Sequence, residues 1–464
     1  MTAWVGDVVA FLMTFVRHRW GYRFKDRRAL LDYQQRQIAR LLGSRITRAS
    51  FYRAHRSTPF TELPIVDKTD VLSSFENFNI CGISLTSARA HAFEAERNRD
   101  FRPTLAGNIS VGSSSGTSGQ PSIFLVSQRE RIMWAGAMLG RMLSTSSLRR
   151  LINPFSRPLR IAFFLRANSN LYTSLNSVRV QFVFFDLAYS LESHLTRLSR
   201  FMPDILVAPA SVLRHLADCQ RSGSVDVRPA QVISVAERLE EDDAHAIAST
   251  WNSMPQQIYQ CTEGFLGFTC EKGAIHLNEE SVHFEPQWQD TERRRFTAVL
   301  TDFRRRTQLF VRYRMDDLLH VHPDPCDCGR VTLRLESIEG RQDEILWLPG
   351  GDSDALQPIF PDQVRRSIML ESPVCGDYRI EQHGMLFTLA MYDQDSESHG
   401  LEQITSALMK LCMALNARAP TIRAVDWVAP FGSEKRRRIR CLSRPSQDSQ
   451  SIPPPVVLST VESA

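Results

Sequence analysis

Gly112-Ser113-Ser114-Ser115-Gly116-Thr117-Ser118-Gly119-Gln120-Pro121 runs directly into the apolar segment Ile123 to Val126. Glycines let a backbone approach a ligand closely, and the hydroxyls of serine and threonine donate hydrogen bonds, so this composition suits a loop that wraps phosphate oxygens. It is not a Walker loop, which needs lysine directly after its last glycine, where Gln120 stands here. A flexible Ser/Gly linker is the alternative from composition alone. Ordered apolar segments close on both sides favour a strand, a phosphate-holding loop and a second strand.

Around that stretch, short apolar segments alternate with helical patterns. Arg160 to Leu165, Val178 to Phe185, Ile205 to Val207, Val232 to Val235 and Gln257 to Tyr259 read as strands, and Gln128 to Leu143 as a helix. Strands separated by helices indicate an α/β fold with a largely parallel sheet, in which ligands bind at the carboxyl ends of the strands. Two such ends are polar: Val235-Ala236-Glu237 and Tyr259-Gln260-Cys261-Thr262-Glu263-Gly264. A tyrosine there could stack on a base, a threonine could hold phosphate, and a carboxylate could hold magnesium. Beyond Thr297 the pattern changes to antiparallel strands, expected at Thr297 to Thr301 and Gln308 to Tyr313, and then to a small α+β unit.

Composition narrows the function classes. The 464 residues are 43% apolar with a formal charge of +5, a small excess that does not imply nucleic-acid binding. Arg304 to Arg306 and Lys435 to Arg438 are compact basic runs, read as solvated faces. Nine cysteines without a disulfide rhythm suit a reducing cytoplasm. Trp4 to Val16 is apolar but too short to span a bilayer, so no transmembrane segment is expected. It reads first as an amphipathic helix covering a groove, and second as a peripheral membrane contact. About sixty helical residues open the chain, and Leu63 to Lys68 reads as an extended entry into an Asp67-capped helix.

Taken in order, the serine-glycine loop, Tyr259-x-x-Thr262-Glu263, Tyr313-Arg314-x-x-Asp317, Gly340-Arg341-x-Asp343 and the late Lys435-x-x-Arg438 resemble the acyl-adenylate-forming superfamily. Within it the chain is similar to phenylacetate-CoA ligases and deazaflavin-adenylylating synthetases. The resemblance implies an α/β fold with a large N-terminal domain (1–342), a small mobile α+β lid domain (343–442) and a disordered tail (443–464). It implies ATP-dependent activation of a carboxylic acid, aromatic or small and apolar, to an acyl-AMP. The acyl group would then pass to CoA. A carrier-protein thiol or an amine is the alternative acceptor, or AMP itself passes to a cofactor hydroxyl.

The same resemblance assigns roles. Ser114, Ser115, Gly116, Thr117, Ser118 and Gly119 would hold the ATP phosphates, Ala236 and Glu237 would border adenine, and Tyr259 would stack on it. Thr262 would touch the α-phosphate and Glu263 would bind Mg2+, while Asp317 and Arg341 would hold the ribose. Asp343 would be the hinge, and Lys435 would be the catalytic ammonium, with a homodimer as the expected assembly. Departures are Gln120 in place of a family lysine, Asp316 in place of glycine, and three arginines after Lys435. Cys270-x5-His276 and Cys326-x-Cys328 make a set of three thiolates and an imidazole suited to tetrahedral structural Zn2+, although a single residue between Cys326 and Cys328 is tighter than usual.

Overall fold

The computed structural model describes residues 2–113, 122–165, 177–371, 377–392, 397–428 and 437–445. The chain forms two compact units. The first holds Met1–Glu285, Val299–Met315 and Val321–Glu336; the second holds Pro286–Ala298, Asp316–His320 and Ser337–Ala464.

The first unit opens with helices α1 (Thr2–Val16) and α2 (Arg27–Ser44), joined through a π-helical turn at Arg17–Gly21. Asp67 caps the Lys68–Ser73 helix with a full capping box, as the local sequence predicts. Strands β1 (Ile109–Ser113) and β2 (Ile123–Ser127) pair antiparallel, with Gly112 opposite Phe124. The serine-glycine loop therefore joins two paired strands; its residues 114–121 lie outside the described ones. Ser127 and Glu130 form a second capping box at the start of the Gln128–Met142 helix. In that helix Gly136 and Gly140 let α1 come close: a Cβ on either would fall 2.7 Å from the Phe11 carbonyl oxygen or 2.8 Å from that of Phe15.

The main sheet is built from β3 (Leu159–Leu165), β4 (Val180–Asp186), β5 (Ile205–Ala208), β6 (Gln231–Ser234) and β7 (Gln256–Gln260), parallel in the order β4-β3-β5-β6-β7. Near-continuous burial along β5 and β6 is what a sheet covered on both faces requires. Phe163 and Phe182 pack on one face of it, and Phe164 and Phe185 on the other, so these phenylalanines are core. Beyond β7 the sheet turns antiparallel through β8 (Phe265–Thr269) and β9 (Ile275–Leu277).

Strands β10 (Val282–Trp288), β11 (Arg295–Asp302), β12 (Tyr313–Val321) and β13 (Arg334–Arg341) each contribute residues to both units. The expected strand at Gln308–Tyr313 is a correction: only Tyr313 belongs to a strand, β12. The preceding segment is diverted because Arg312 takes a left-handed conformation (φ 49°), and its guanidinium pairs with Glu285 and donates to the carbonyls of Thr61 and Leu63.

The second unit has a ribbon of β14 (Leu346–Pro349) and β15 (Leu356–Ile359), and a four-stranded sheet of β16 (Asp377–His383), β17 (Leu386–Tyr392), β18 (Thr421–Ala424) and β19 (Ile439–Ser443) in the order β18-β17-β16-β19. Leu348, Val364, Ile380, Phe387, Leu389 and Ile404 form its own apolar core. The structure is thus α/β, with a separate small α+β unit at the carboxyl end.

Candidate active site

Adjacent parallel strands bring their carboxyl ends together. Because β6 pairs with β7 at Ile233↔Gln256 and Ser234↔Gln257, the segments after them, Ala236-Glu237 and Thr262-Glu263, leave the same end of the sheet. Ala236 has φ +64°, a left-handed conformation that costs a non-glycine residue about 1 kcal/mol or more. The Glu237 carboxylate accepts from the Ser211 amide at 3.0 Å. Tyr259 is buried at the end of β7, and a register shift between Tyr259 and Gln260 marks a bulge there, a device that re-aims side chains.

Thr262 and Glu263 are the two central residues of a tight turn closed by reciprocal Cys261–Gly264 backbone bonds of 3.1 and 3.3 Å. Gly264 is required: a Cβ there would fall 2.6 Å from Asp302 Oδ2. The turn is held from outside by Arg305, which donates to the carbonyls of Thr262, Glu263 (3.3 Å) and, on β2, Leu125 (3.3 Å). One guanidinium therefore ties the Thr262-Glu263 turn to the strand that leaves the serine-glycine loop.

Two buried carboxylates surround that clamp. Asp302 accepts from the Arg304 and Arg305 amides at 2.5 and 3.1 Å, yet burial outweighs the Arg305 charge and pushes its carboxyl up. Glu130 differs: burial pushes it up, but the Arg305 charge and hydrogen bonds from Ser127 and Thr307 win and hold it below its ordinary value. It accepts from the amides of Arg306 (2.6 Å) and Thr307 (3.0 Å). The reading of Arg304 to Arg306 as a solvated face is corrected here. Only Arg306 is exposed, because Arg305 neutralises buried carboxylates and Arg304 donates to the Tyr22 and Tyr33 hydroxyls. A basic triplet carries no periodic signal that separates these fates.

Beside the turn lies a cavity of about 100 Å³. Phe124, Val126, Met133, Trp134, Ala137 and Phe265 form its apolar wall, while Thr262, Asp302 and Arg305 lie at its polar side. The π-turn contributes His18, whose Nδ1 meets the Thr14 carbonyl at 2.9 Å and Nε2 the Ser281 hydroxyl at 3.3 Å. Burial pulls His18 down to about 3, so it is a neutral imidazole near neutral pH.

The sequence-predicted cysteine-histidine set converges at the β8–β9 turn. Cys270, His276, Cys326 and Cys328 place their ligand atoms within 4.8 Å of one another. Cys270 Sγ and Cys326 Sγ are 3.8 Å apart, and Cys328 Sγ is 3.4 Å from His276 Nε2. Tetrahedral ligands about 2.3 Å (sulfur) and about 2.0 Å (nitrogen) from zinc stand roughly 3.5–3.8 Å apart, so the residues fit the ion. His276 Nδ1 faces the Thr332 carbonyl (3.2 Å) and hydroxyl (3.1 Å), which leaves Nε2 as the lone-pair nitrogen toward the sulfurs. A second acidic group, His320, Glu339 and Asp362, already holds a cation, since Arg295 lies 3.0 Å from Glu339 and 2.7 Å from Asp362.

Asp317, Arg341 and Asp343 belong to the second unit. Arg341 Nε stands 3.9 Å from Asp317 Oδ1, and Asp343 accepts from Arg437 at 2.5 Å. Lys435 and the loop residues Ser114, Ser115, Gly116, Thr117, Ser118 and Gly119 lie outside the described residues.

No protein-family model matches the chain, and no curated protein sequence is similar enough to match it. Solved structures do match. A 2-hydroxyisobutyryl-CoA ligase in the postadenylation state with 2-HIB-AMP has a TM-score of 0.59 at 16% identity, covering 91% of this chain and 90% of that one. The same ligase with R3-HIB-AMP gives 0.58 at 16% identity over 91% and 90%, and its open conformation with 2-HIB-AMP and CoA gives 0.53 at 16% over 90% and 91%. The chain therefore has the fold of the acyl-adenylate-forming CoA ligases.

Proposed function

We propose that this protein activates a carboxylic acid with ATP, forming an acyl-AMP and pyrophosphate, and then transfers the acyl group to CoA. The observation that carries the reading is the Thr262-Glu263 turn. It stands at the carboxyl end of the parallel sheet beside Ala236-Glu237, is tied by Arg305 to the strand after the serine-glycine loop, and faces an apolar cavity. The acid's carboxylate attacks the α-phosphorus while its apolar part occupies that cavity, and the bond to the pyrophosphate oxygen breaks. An aromatic or compact aliphatic acid fits the apolar wall.

In this reading Tyr259 stacks on adenine beside Ala236 and Glu237, and Thr262 donates to the α-phosphate. Ser114, Ser115, Gly116, Thr117, Ser118 and Gly119 cradle the leaving phosphates, and Glu263 would hold Mg2+, which neutralises phosphate charge. Asp317, oriented by Arg341, accepts from the ribose hydroxyls. Lys435 stabilises the charge that grows on the α-phosphate, as an electrostatic rather than an acid-base catalyst. Asp343 is the hinge about which the small domain, residues 343–442, would bring Lys435 in for adenylation and withdraw it for thioester formation. Cys270, His276, Cys326 and Cys328 would bind a structural Zn2+, a closed set of four that leaves no position for substrate.

The test is exchange of labelled pyrophosphate into ATP with magnesium and pooled aryl, fatty and hydroxy acids, for the native protein and Lys435→Ala. Exchange that depends on one pool and falls about a hundredfold or more in the variant is expected. Equal exchange in both proteins would remove Lys435 from the chemistry, and ATP binding without exchange in any pool would overturn the activity.

A further inference from the structure

Helix α1 has two apolar sides with different fates. Its inner side is used: Ala10 and Phe15 are buried, and Gly136 and Gly140 receive its backbone at Phe11 and Phe15. On the outer side Val5, Val9, Leu12, Met13, Val16 and, in the π-turn, Trp20 are 48–52% exposed. Their spacing of three or four residues makes one continuous stripe along the helix. An apolar stripe of this length in water is unusual for a surface helix that already has a buried face.

The charge around the stripe is equally one-sided. The first 28 residues hold six basic side chains against two acidic ones, in a chain whose whole excess is +5. Arg17, Arg23, Lys25 and Arg28 are exposed immediately after the helix. Arg27 is paired with Glu279, and Arg19 donates to the Leu143 carbonyl at 2.5 Å, which fixes the π-turn on the body of the unit. Among the described residues no helix is long and apolar enough to cross a membrane.

We propose that the outer face of α1 docks this protein in the surface of an anionic lipid bilayer. The apolar stripe would enter the acyl boundary, Trp20 would sit at headgroup level, and Arg17, Arg23, Lys25 and Arg28 would meet anionic headgroups. Charge decides this occupant over a second copy of the chain. A facing α1 would offer a single carboxylate, Asp7, which already accepts from Gln128 at 2.8 Å, against the same basic end. Since Thr14 and His18 on this segment line the apolar cavity, docking sets the cavity wall against the bilayer.

The experiment is flotation of the full chain with phosphatidylcholine vesicles, with or without phosphatidylglycerol, at low and high salt. Binding to the phosphatidylglycerol vesicles, weakened by salt, is expected. Arg17→Gln and Arg23→Gln should each weaken it about fivefold, and Leu12→Gln with Val16→Gln should abolish it. Unchanged circular dichroism and thermal midpoint in these surface variants would show that the fold is intact. Absence of binding to anionic vesicles at low salt overturns the proposal. So does a native dimer that Leu12→Gln with Val16→Gln turns into monomer while vesicle binding persists.

Discussion

The Thr262-Glu263 turn and the Cys270/His276/Cys326/Cys328 cluster are both polar constructions inside the first unit, and they are built in opposite ways. The turn is contiguous in sequence but depends on an arginine 42 residues away for its position. The cluster is assembled from side chains up to 58 residues apart, from Cys270 to Cys328, yet its members were recognisable individually. Cysteine and histidine are scarce and have few buried roles, so their spacing carries information even at a distance. Arginine is common, and nothing local separates a buried clamp from a solvated face.

The clamp is where the larger effect is expected. Arg305→Met leaves Asp302 and Glu130 buried without their cation, and the unfolding free energy should fall by about 3–5 kcal/mol in urea titrations, with exchange activity lost alongside. A variant that unfolds like the native protein would make Arg305 no more than a surface residue and erase the contrast.

Cys328→Ala should then cost about 2–3 kcal/mol and drop bound zinc, measured by elemental analysis, below one-tenth of an equivalent. Pyrophosphate exchange at a temperature below the new melting transition should stay within about threefold of native, because the cluster acts on stability. Loss of zinc with no change in melting would instead detach the cluster from the fold.

Glu263→Gln is nearly isosteric and should leave the melting temperature unchanged while exchange falls about a hundredfold, around 2.7 kcal/mol of transition-state stabilisation. Raised magnesium should recover part of the loss. A shifted melting temperature would mean that the carboxylate serves the turn and not the reaction.

Per group and per pH unit, the smallest effect concerns the acidity of buried histidines. Burial pulls His18 from 6.5 to about 3 and His283 to about 4, so the unfolded chain binds protons that the folded chain refuses. Stability is therefore complete above the ordinary histidine value and falls as pH drops through 6.5 towards 4, by up to about 1.4 kcal/mol per pH unit for each group. Urea titrations across that range should show the slope, and His283→Gln should reduce it by about a third, since burial also pulls His276 down to about 4.

Much of the architecture was legible beforehand. Alternating short apolar runs and helical periods marked β3 to β7 as a parallel sheet, and Asp67 marked the start of a helix. The diversion at Arg312 was not legible, because the alternation of Gln308 to Tyr313 looks like a strand until Glu285 and two carbonyls from residues 61 and 63 capture the guanidinium.

What the sequence determined by itself are the features set by local chemistry: the strand periods, the Asp67 cap, and the residue types able to bind phosphate, magnesium or zinc. Tertiary structure alone decided which identical side chains became different things. Arg305 became a clamp and Arg306 a surface residue, and one face of α1 became core while the other stayed in water. Burial and charge neutralisation depend on what the rest of the chain brings within a few ångströms, and no local pattern records that.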